Sequence, residues 1–358
     1  MTDLFSLLQA GIWGGLVSFL VSIALVSSAH IHGRYTLDSD EGIQKLHTRA
    51  TPRVGGMAIV AGFWAAWFFL QGEAQSLWGF IGLAGLPALA FGLAEDITKK
   101  VAVKWRLLAT IFSGLIFALI SGYSITSVDL GWMDLLLGAP VLALAFTAFA
   151  VGGVANSINI IDGFHGLASG TLMLILLAFA MVGTRVGDPL LIAVSLTMLL
   201  VVGGFFLVNF PRGKLFLGDA GAYFSGYVVA VMAVLLPARN PEVSPWVSLL
   251  ILAYPVTETL VSILRRLIKR GHSPGAPDSD HLHHVIHRGW AASVGAKMAA
   301  PEAGNALTSV FAWALPALTL AAVWFGNLKT GQTMLLLLLG VMVYAVYYRI
   351  ALAAARKR

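Results

Sequence analysis

Long apolar segments recur along this chain and leave few folds open to it. A helix that crosses the ~30 Å hydrocarbon core of a bilayer needs about 20 apolar residues. Segments near that length lie at 12–29, 54–70, 77–94, 107–122, 132–155, 167–183, 189–208, 220–237, 246–264, 305–326 and 332–350. Only 11% of the residues are charged, against roughly 25% in a soluble domain. The sequence therefore predicts an all-α polytopic membrane protein with about 11 transmembrane helices.

The distribution of Lys and Arg predicts how these helices are oriented. If the N-terminus is periplasmic, all but three of the 23 Lys and Arg residues lie in inner connections or in the C-terminal tail. The exceptions are Arg185, Arg239 and Lys329. This asymmetry follows the positive-inside rule and predicts a cytoplasmic C-terminus. The net charge of +6 then reflects topology and affinity for anionic headgroups and phosphates, so no nucleic-acid partner is expected.

Residues 1–358 are predicted to form a single integral membrane domain, because no soluble domain interrupts the apolar segments. The absence of cysteine excludes disulfides and thiolate metal sites. All nine histidines fall on the inner side, which the positive-inside rule does not explain. We therefore expect a functional site built from the cytoplasmic connections near 30–53, 95–106, 155–166, 208–219 and 265–304.

Two inner connections carry charged groups at a helix end. The first contains His47, Arg49 and Arg53, which suit phosphate contact but could equally anchor the chain at the membrane edge. The second begins with Glu95 and Asp96. Adjacent acids at a membrane edge are costly unless they are solvated, paired or metal-bound. Mg²⁺ favours such carboxylates; the alternative is a solvated helix end paired with nearby lysines.

The connection after the fifth segment places Asn156, Asn159 and Asp162 three residues apart, so that all three share one helical face. Asn offers both donors and acceptors, which suits a nucleobase or a sugar. His165 follows in the same connection. An ordinary turn is the alternative, since Asn, Asp and Gly are common there, but the regular spacing favours binding.

The next inner connection contributes Asn209, Phe216 and Asp219. Phe216 could stack on a base or simply pack against the protein. Asp219 stands where an apolar helix begins, and a carboxylate at that position can cap the helix. It can equally hold a metal ion whose other ligands are phosphates.

The longest inner connection carries His281, His283 and His284, and Arg265 and Arg266 precede it. Zinc is one interpretation of the histidines, but structural zinc usually draws its ligands from separated positions. Histidines beside arginines are better suited to a pyrophosphate group.

Taken in order, these motifs resemble those of the polyprenyl-phosphate N-acetylhexosamine-1-phosphate transferases of glycosyltransferase family 4. The motifs are TPRVGG at 51–56, the acid pair at 95–96, NxxNxxDGxxGLxxG at 156–170, FLGDAGA at 216–222 and HLHH at 281–284. The family includes the initiators of O-antigen, enterobacterial common antigen and teichoic acid synthesis and, more distantly, the peptidoglycan translocase. The HLHH form is more similar to the O-antigen and teichoic acid initiators.

The resemblance implies transfer of N-acetylhexosamine 1-phosphate, commonly GlcNAc 1-phosphate, from a UDP-sugar to undecaprenyl phosphate. The products are an undecaprenyl-diphosphate sugar and UMP, and the lipid product initiates a cell-envelope polysaccharide. It also implies a bacterial inner membrane, an active site that faces the cytoplasm, and Mg²⁺ as cofactor with Mn²⁺ as a substitute. A homodimer is compatible with it.

The same resemblance implies roles for individual residues. Asp219 would hold the metal, and Asp96 would act as a metal partner or as a base toward the lipid phosphate. The nucleotide pocket would comprise Asn156–Asp162, Asn209 and Phe216, with the HLHH histidines near the diphosphate and sugar. Two positions depart from the family pattern: Glu95 replaces an Asp, and His165 replaces the second Asp of DGxDG. A histidine can donate where a carboxylate cannot.

The sequence also bears on three other functions. A transporter or flippase of an anionic or lipid-linked solute predicts acids and broken helices near the bilayer midplane. The predicted midplanes are nearly free of charge, with Glu258 the partial exception. A zinc hydrolase that uses HLHH would need a further ligand, for which Asp219 is available. A CDP-alcohol phosphotransferase is excluded, because its signature requires Ala-Arg soon after Asp-Gly, and Asp162-Gly163 lacks that continuation.

Overall fold

The computed structural model describes residues 4–38, 51–268, 280–298 and 301–357, and it confirms a helical membrane protein. The helices are α1 (Leu4–Ser27), α2 (Ala29–Thr36), α3 (Gly55–Trp67), α4 (Gly72–Ala84), α5 (Leu86–Thr98), α6 (Val103–Ser121), α7 (Gly131–Leu137), α8 (Pro140–Ile160), α9 (Leu167–Val186), α10 (Pro189–Asn209), α11 (Gly218–Arg239), α12 (Pro245–Ile251), α13 (Ala253–Ile268), α14 (Leu282–Ile286), α15 (Ala292–Lys297), α16 (Pro301–Ala312), α17 (Ala314–Phe325) and α18 (Thr330–Arg356). A π-helical turn, His287–Ala291, joins α14 to α15.

One small sheet interrupts the helical fold and was not predicted from the sequence. Within the described ranges, its two strands are β1 (Leu37–Asp38) and β2 (Thr51–Pro52), which pair antiparallel. The backbone N–H of Phe216 donates to Pro52 O over 2.9 Å. The sheet therefore joins the segment before α3 to the connection before α11.

All eleven predicted apolar segments coincide with helices. Across the described ranges, eight helical segments are long and apolar enough to cross a membrane, with Ala303–Phe325 of α16 and α17 counted as one, and two bent helix pairs raise that number to ten. With 13 residues, α3 is shorter than such a span. The chain is thus a multi-pass membrane protein.

Proline accounts for the two bent pairs. The angle between α4 and α5 is 44°, and the angle between α12 and α13 is 78°. Pro87 lies in the first turn of α5, and Pro255 lies in the first turn of α13. Proline has no N–H to donate and its ring clashes with the preceding turn, so a helix bends or restarts there.

The most enclosed helix is α11, which packs against α3, α5, α8 and α9. Near the start of α11, its backbone and that of α3 approach each other very closely. A Cβ atom built on Gly56 of α3 would lie 2.3 Å from the backbone nitrogen of Gly221 in α11. Only a residue without a side chain fits at that crossing.

The far end of α11 is fixed by a polar cluster around Arg239. Arg239 Nε donates to Asp188 Oδ2 over 2.9 Å, and its Nη1 reaches Glu73 Oε1 at 2.8 Å and Tyr123 OH at 2.9 Å. These partners come from the starts of α10 and α4 and from the residues after α6. The cluster therefore ties four segments together at the end of the bundle opposite Asp219.

Candidate active site

Asp219, in the first turn of α11, is surrounded by side chains from three other segments. Arg106 Nη1 bonds its Oδ2. Asn159 Nδ2 donates to its Oδ1 over 3.1 Å, and Arg53 Nη2 lies 3.4 Å from the same oxygen. Asp219 is only 6% exposed. Residues far apart in the sequence thus converge on one carboxylate at one end of the bundle.

Asp96 is fully buried and holds the start of α11. Its Oδ1 accepts the backbone N–H of Asp219 at 2.8 Å, and its Oδ2 accepts that of Ala220 at 2.9 Å. The first N–H groups of a helix have no partner within their own helix, so a carboxylate from α5 supplies the cap. Arg53 Nη2 lies 3.7 Å from Asp96 Oδ1 and therefore contacts both acids.

The glycine of the FLGDAGA motif permits this arrangement. Gly218 has a φ of +73°, in the left-handed region. A Cβ atom there would lie 2.1 Å from Arg53 O and 2.7 Å from Asp96 Oδ2. Glycine is therefore required both by the backbone conformation and by the close approach of the two neighbouring segments.

The two members of the acid pair face different partners. While Asp96 caps α11, Glu95 Oε2 accepts the backbone N–H of Val101 over 2.7 Å. That bond stabilises the turn that joins α5 to α6, and so helps to place Arg106 in the first turn of α6. The predicted catalytic role of Glu95 stays a prediction.

The two asparagines of the Asn-rich motif also have different hydrogen-bond partners. Asn159 contacts Asp219, and it accepts a hydrogen bond from Tyr223 OH at 3.3 Å. Asn156 donates to Thr110 Oγ1 at 2.9 Å and to Gly152 O at 2.8 Å, which ties α8 to α6. Substrate binding by Asn156 stays a prediction.

Asp162 follows α8 and lies in the electrostatic field of the same centre. Burial raises the pKa of its carboxyl to about 7; Arg53 acts to lower that pKa and Asp219 to raise it. Asp162 and Asp219 therefore repel each other, and a bound cation would relieve that repulsion.

The carboxylate oxygens at this centre are of a type that suits Mg²⁺. Carboxylate oxygens are the hard ligands that Mg²⁺ prefers, and it usually needs only one or two of them beside waters and substrate phosphates. Over the part of the chain that the structure describes, no three His, Cys, Asp or Glu side chains form a metal-binding group. The Asp219 carboxylate is thus of the ligand type that Mg²⁺ prefers.

His165 and Asn209 connect two loops beside this centre. Asn209 Oδ1 accepts the backbone N–H of Gly166 at 2.7 Å, and its Nδ2 donates to Leu215 O over 2.7 Å. His165 Nδ1 lies 3.1 Å from Pro211 O, and its ring stacks on Phe216 at 5.9 Å between centroids. A carbonyl neighbour needs a donor, which a histidine supplies and a carboxylate cannot. The departure from the family pattern thus has a structural reason.

The HLHH histidines pack against the loop that follows Asp162. The ring of Phe164 lies 5.5 Å from that of His283 and 5.6 Å from that of His284. Burial, and then the charges of His284 and His281, hold the pKa of His283 well below its usual range. His283 is therefore neutral at physiological pH and brings no positive charge to this loop.

The remaining predicted residues lie farther out or outside the described ranges. Arg265 Nη1 donates to Tyr348 OH over 3.1 Å, which links α13 to α18. Arg266 follows it in the last turn of α13. His47 and Arg49 fall outside the described residues. Phosphate binding by these four residues stays a prediction.

Sequence reasoning did not single out Arg106, Tyr223 or Asn305. Arg106 was explained by the positive-inside rule alone, although it bonds Asp219. Asn305 Oδ1 accepts the backbone N–H of His165 at 2.7 Å and so attaches α16 to the loop. The position of Arg106 ten residues after Asp96, in a predicted inner connection, was the only available signal.

Comparison with known proteins gives consistent matches. Residues 77–237 match the family model of Glycosyl transferase family 4. The probable undecaprenyl-phosphate N-acetylglucosaminyl 1-phosphate transferase of Bacillus subtilis (strain 168) is 28% identical over 255 residues, which cover 68% of this chain and 67% of that protein. The undecaprenyl-phosphate alpha-N-acetylglucosaminyl 1-phosphate transferase of Yersinia pestis is 27% identical over 278 residues, or 75% of each chain.

A mycobacterial relative agrees with these two. The decaprenyl-phosphate N-acetylglucosaminephosphotransferase of Mycobacterium leprae (strain TN) is 27% identical over 269 residues, or 67% of each chain. The family match includes the three motifs that meet at Asp219: the acid pair, the Asn-rich motif and FLGDAGA. On these grounds the chain is similar to glycosyl transferase family 4 through residues 77–237.

Proposed function

We propose that this protein transfers N-acetylhexosamine 1-phosphate, with GlcNAc as the first sugar to test, from a UDP-sugar to undecaprenyl phosphate. The names of the relatives describe transfer of this kind to undecaprenyl or decaprenyl phosphate. One observation carries the proposal: Asp219 meets Arg53, Arg106 and Asn159 at one end of a membrane bundle. A carboxylate, two guanidinium groups and an amide suit a metal-bound diphosphate.

The reaction forms one bond and breaks one. An oxygen of the lipid phosphate attacks the β-phosphorus of the UDP-sugar, and the bond from that phosphorus to the bridging oxygen breaks, so that UMP leaves. Such transfers depend on positioning and on neutralising charge more than on covalent help from the protein. Arg53 and Arg106 would supply positive charge to the phosphates, and Asn159 would fix the orientation of Asp219.

Mg²⁺ is the proposed cofactor, held by Asp219 and by substrate oxygens. Bound there, it would neutralise part of the diphosphate charge. Both oxygens of Asp96 already accept backbone N–H groups, which supports a positioning role for Asp96 over that of a base. An ionised lipid phosphate has little need of a base.

The proposed topology has eleven spans, if α3 is counted and each bent pair is one span. The N-terminus is then periplasmic, and Asp219 and the C-terminus face the cytoplasm at the bacterial inner membrane. Support comes from the basic residues, since Arg53 and Arg106 lie at the same end as Asp219. The opposite end carries Arg239, one of the three exceptions to the positive-inside rule.

The transporter alternative receives partial support from the two bent helix pairs, because broken helices are typical of such proteins. However, the charged cluster lies at helix ends rather than between broken helices at the midplane. Glu258, the one acid well inside a span, bonds His281 of the HLHH motif. These positions favour a surface site for a phosphate-transfer reaction.

The test uses purified protein with Mg²⁺, undecaprenyl phosphate and a panel of UDP-N-acetylhexosamines, and measures UMP. We expect UMP release that requires both Mg²⁺ and the lipid, and that is lost in Asp219→Asn. Absence of UMP with every sugar would reject the transferase proposal. Activity restored to chelator-treated protein by Zn²⁺ but not by Mg²⁺ would favour the zinc interpretation.

A further inference from the structure

Glu258 is a fully buried acid within the bent pair α12–α13. Acids inside membrane segments are costly and are usually functional. Its Oε1 lies 2.9 Å from His281 Nδ1 and accepts the backbone N–H of Leu282 at 3.2 Å. Its Oε2 accepts the hydroxyl of Tyr344, in α18, at 2.8 Å. The carboxylate is therefore bonded by three donors, two of which belong to adjacent residues of HLHH.

We propose that Glu258 is a positioning residue for the transfer reaction, which fixes His281 and the start of α14 against the loop that follows Asp162. This inference rests on the proposed function. Glu258 also accepts hydrogen bonds from Leu282 N–H and from the Tyr344 hydroxyl, so its carboxyl group is held in place and in turn fixes the orientation of the His281 ring. The bond to Leu282 holds the first turn of α14, where no intrahelical partner exists.

The HLHH segment reaches the catalytic centre through its neighbours. The His281 ring stacks on His283 at 5.3 Å between centroids, with 11° between the planes. His283 packs on Phe164, which lies two residues after Asp162. A shift of His281 would therefore be transmitted to the loop that adjoins Asp219.

A purely structural role would give a different pattern of contacts and effects. If Glu258 served only to join α13 to α18, the bond to Tyr344 would be the important one. Tyr344→Phe removes that bond and leaves the bonds to His281 and Leu282 in place, so it is the matched control. Glu258→Gln keeps the shape and an oxygen that can accept from both His281 and Leu282, whereas Glu258→Ala removes every contact.

The experiment compares these variants for UMP release and for backbone hydrogen exchange in residues 281–286. We expect Glu258→Ala to lower kcat about 10- to 100-fold, with KM for the UDP-sugar within about 3-fold. Tyr344→Phe should stay within about 3-fold of wild type, and Glu258→Gln should recover most of the lost rate. Hydrogen exchange in 281–286 should accelerate in Glu258→Ala and not in Tyr344→Phe.

A double-substitution cycle isolates the link to His281. Once His281→Ala is present, adding Glu258→Ala should lower kcat no further, because the two act as a unit. Equal losses in Glu258→Ala and Tyr344→Phe, additive losses in the cycle, or unchanged hydrogen exchange in Glu258→Ala would each overturn the positioning role. Failure of the wild-type protein to release UMP would reject the proposed function instead, while the exchange measurement would still decide whether Glu258 holds the segment.

Discussion

The carboxylate of Asp96 accepts the backbone N–H of Asp219 at 2.8 Å, so one acid of the centre holds the main chain of the other. Asp96 also accepts the N–H of Ala220 at 2.9 Å and is fully buried. The side chain of Asp219 is thereby left to Arg53, Arg106 and Asn159. Asp96 thus caps the helix and Asp219 binds most of the charged groups, with Arg53 in contact with both acids, and substitutions should distinguish the two roles.

Asp219→Asn should abolish the reaction while leaving the fold intact. The amide carries no negative charge, so it balances neither the arginines nor a bound cation, and loss of such electrostatic stabilisation costs about 100-fold or more in rate. Mg²⁺ should raise the melting temperature of the wild-type protein and not that of Asp219→Asn, because binding to the folded state stabilises it. Near-normal UMP release by Asp219→Asn would remove Asp219 from the metal role.

Asp96→Asn should reduce both activity and stability. The amide NH₂ would face a backbone N–H at the start of α11, and leaving that donor unsatisfied costs about 1–3 kcal/mol. Glu95→Gln is the control, because its amide oxygen can still accept from Val101 N–H. Thermal unfolding and UMP release should both rank Asp96→Asn as the more damaged variant. The reverse order would mean that Glu95 is the more important acid.

Without Mg²⁺, the stability of the protein should fall as the pH rises, because the buried carboxyl group of Asp162 ionises. The pKa of Asp162 is raised from 3.8 to about 7 by burial, so the folded state binds the proton more tightly than the unfolded state. The resulting stabilisation is fully present below the unfolded pKa and is lost as pH rises through the folded pKa. Asp162→Asn should therefore melt higher than wild type above about pH 7 and lose that advantage toward about pH 4.

Mg²⁺ provides the control for this measurement. A cation near Asp219 and Asp162 favours the ionised carboxyl, so Mg²⁺ should narrow the difference in melting temperature above about pH 7. A constant difference across the pH range would show that Asp162 does not titrate there.

His165→Ala should weaken substrate binding more than it slows the chemical step. The substitution removes the contact of Nδ1 with Pro211 O and the stacking on Phe216, but it leaves the backbone bonds to Asn305 and Ser309. If the less ordered loop costs about 1.4 kcal/mol of binding free energy, KM for the UDP-sugar should rise about 10-fold. Ser309→Ala is the matched control, because it removes the hydrogen bond to His165 O and keeps the imidazole. A fall in kcat with unchanged KM in His165→Ala would contradict the prediction.

Arg239→Met should destabilise the protein without slowing the reaction. It breaks the buried pair with Asp188, whose side chain is 5% exposed, and such a loss costs about 3 kcal/mol. Glu73→Gln removes only a partner that is 66% exposed, which should cost less than about 1 kcal/mol. Melting temperatures and UMP release well below the melting point check both statements. A strong loss of activity in folded Arg239→Met would mean that the two ends of α11 are coupled.

Much of the architecture could be read from the sequence, because apolar length alone predicts helices in a membrane. All eleven segments proved helical. The bends were not foreseen, since a proline such as Pro255 can begin a helix as well as break one. The small β1–β2 sheet was also missed, because strands of two residues carry no detectable alternation.

The sequence predicted which residues lie in the site better than it predicted what each residue does there. Asp219, Asp96 and Asn159 were singled out and do lie together. Arg106 was overlooked because its partner lies 113 positions away, and no local pattern reports such a contact. The role of Glu258 was undecided for the same reason, since its bond to His281 joins segments that lie 23 positions apart.

Backbone touches backbone where Gly56 of α3 crosses Gly221 of α11, so the spacing between Arg53 and Asp219 is set without any side chain. Replacements in the loops around His165 and Phe216 can then accumulate without moving the charges that would meet a diphosphate. Under the proposed function, the choice of sugar can therefore change while the dimensions of the centre that transfers the phosphate stay constant.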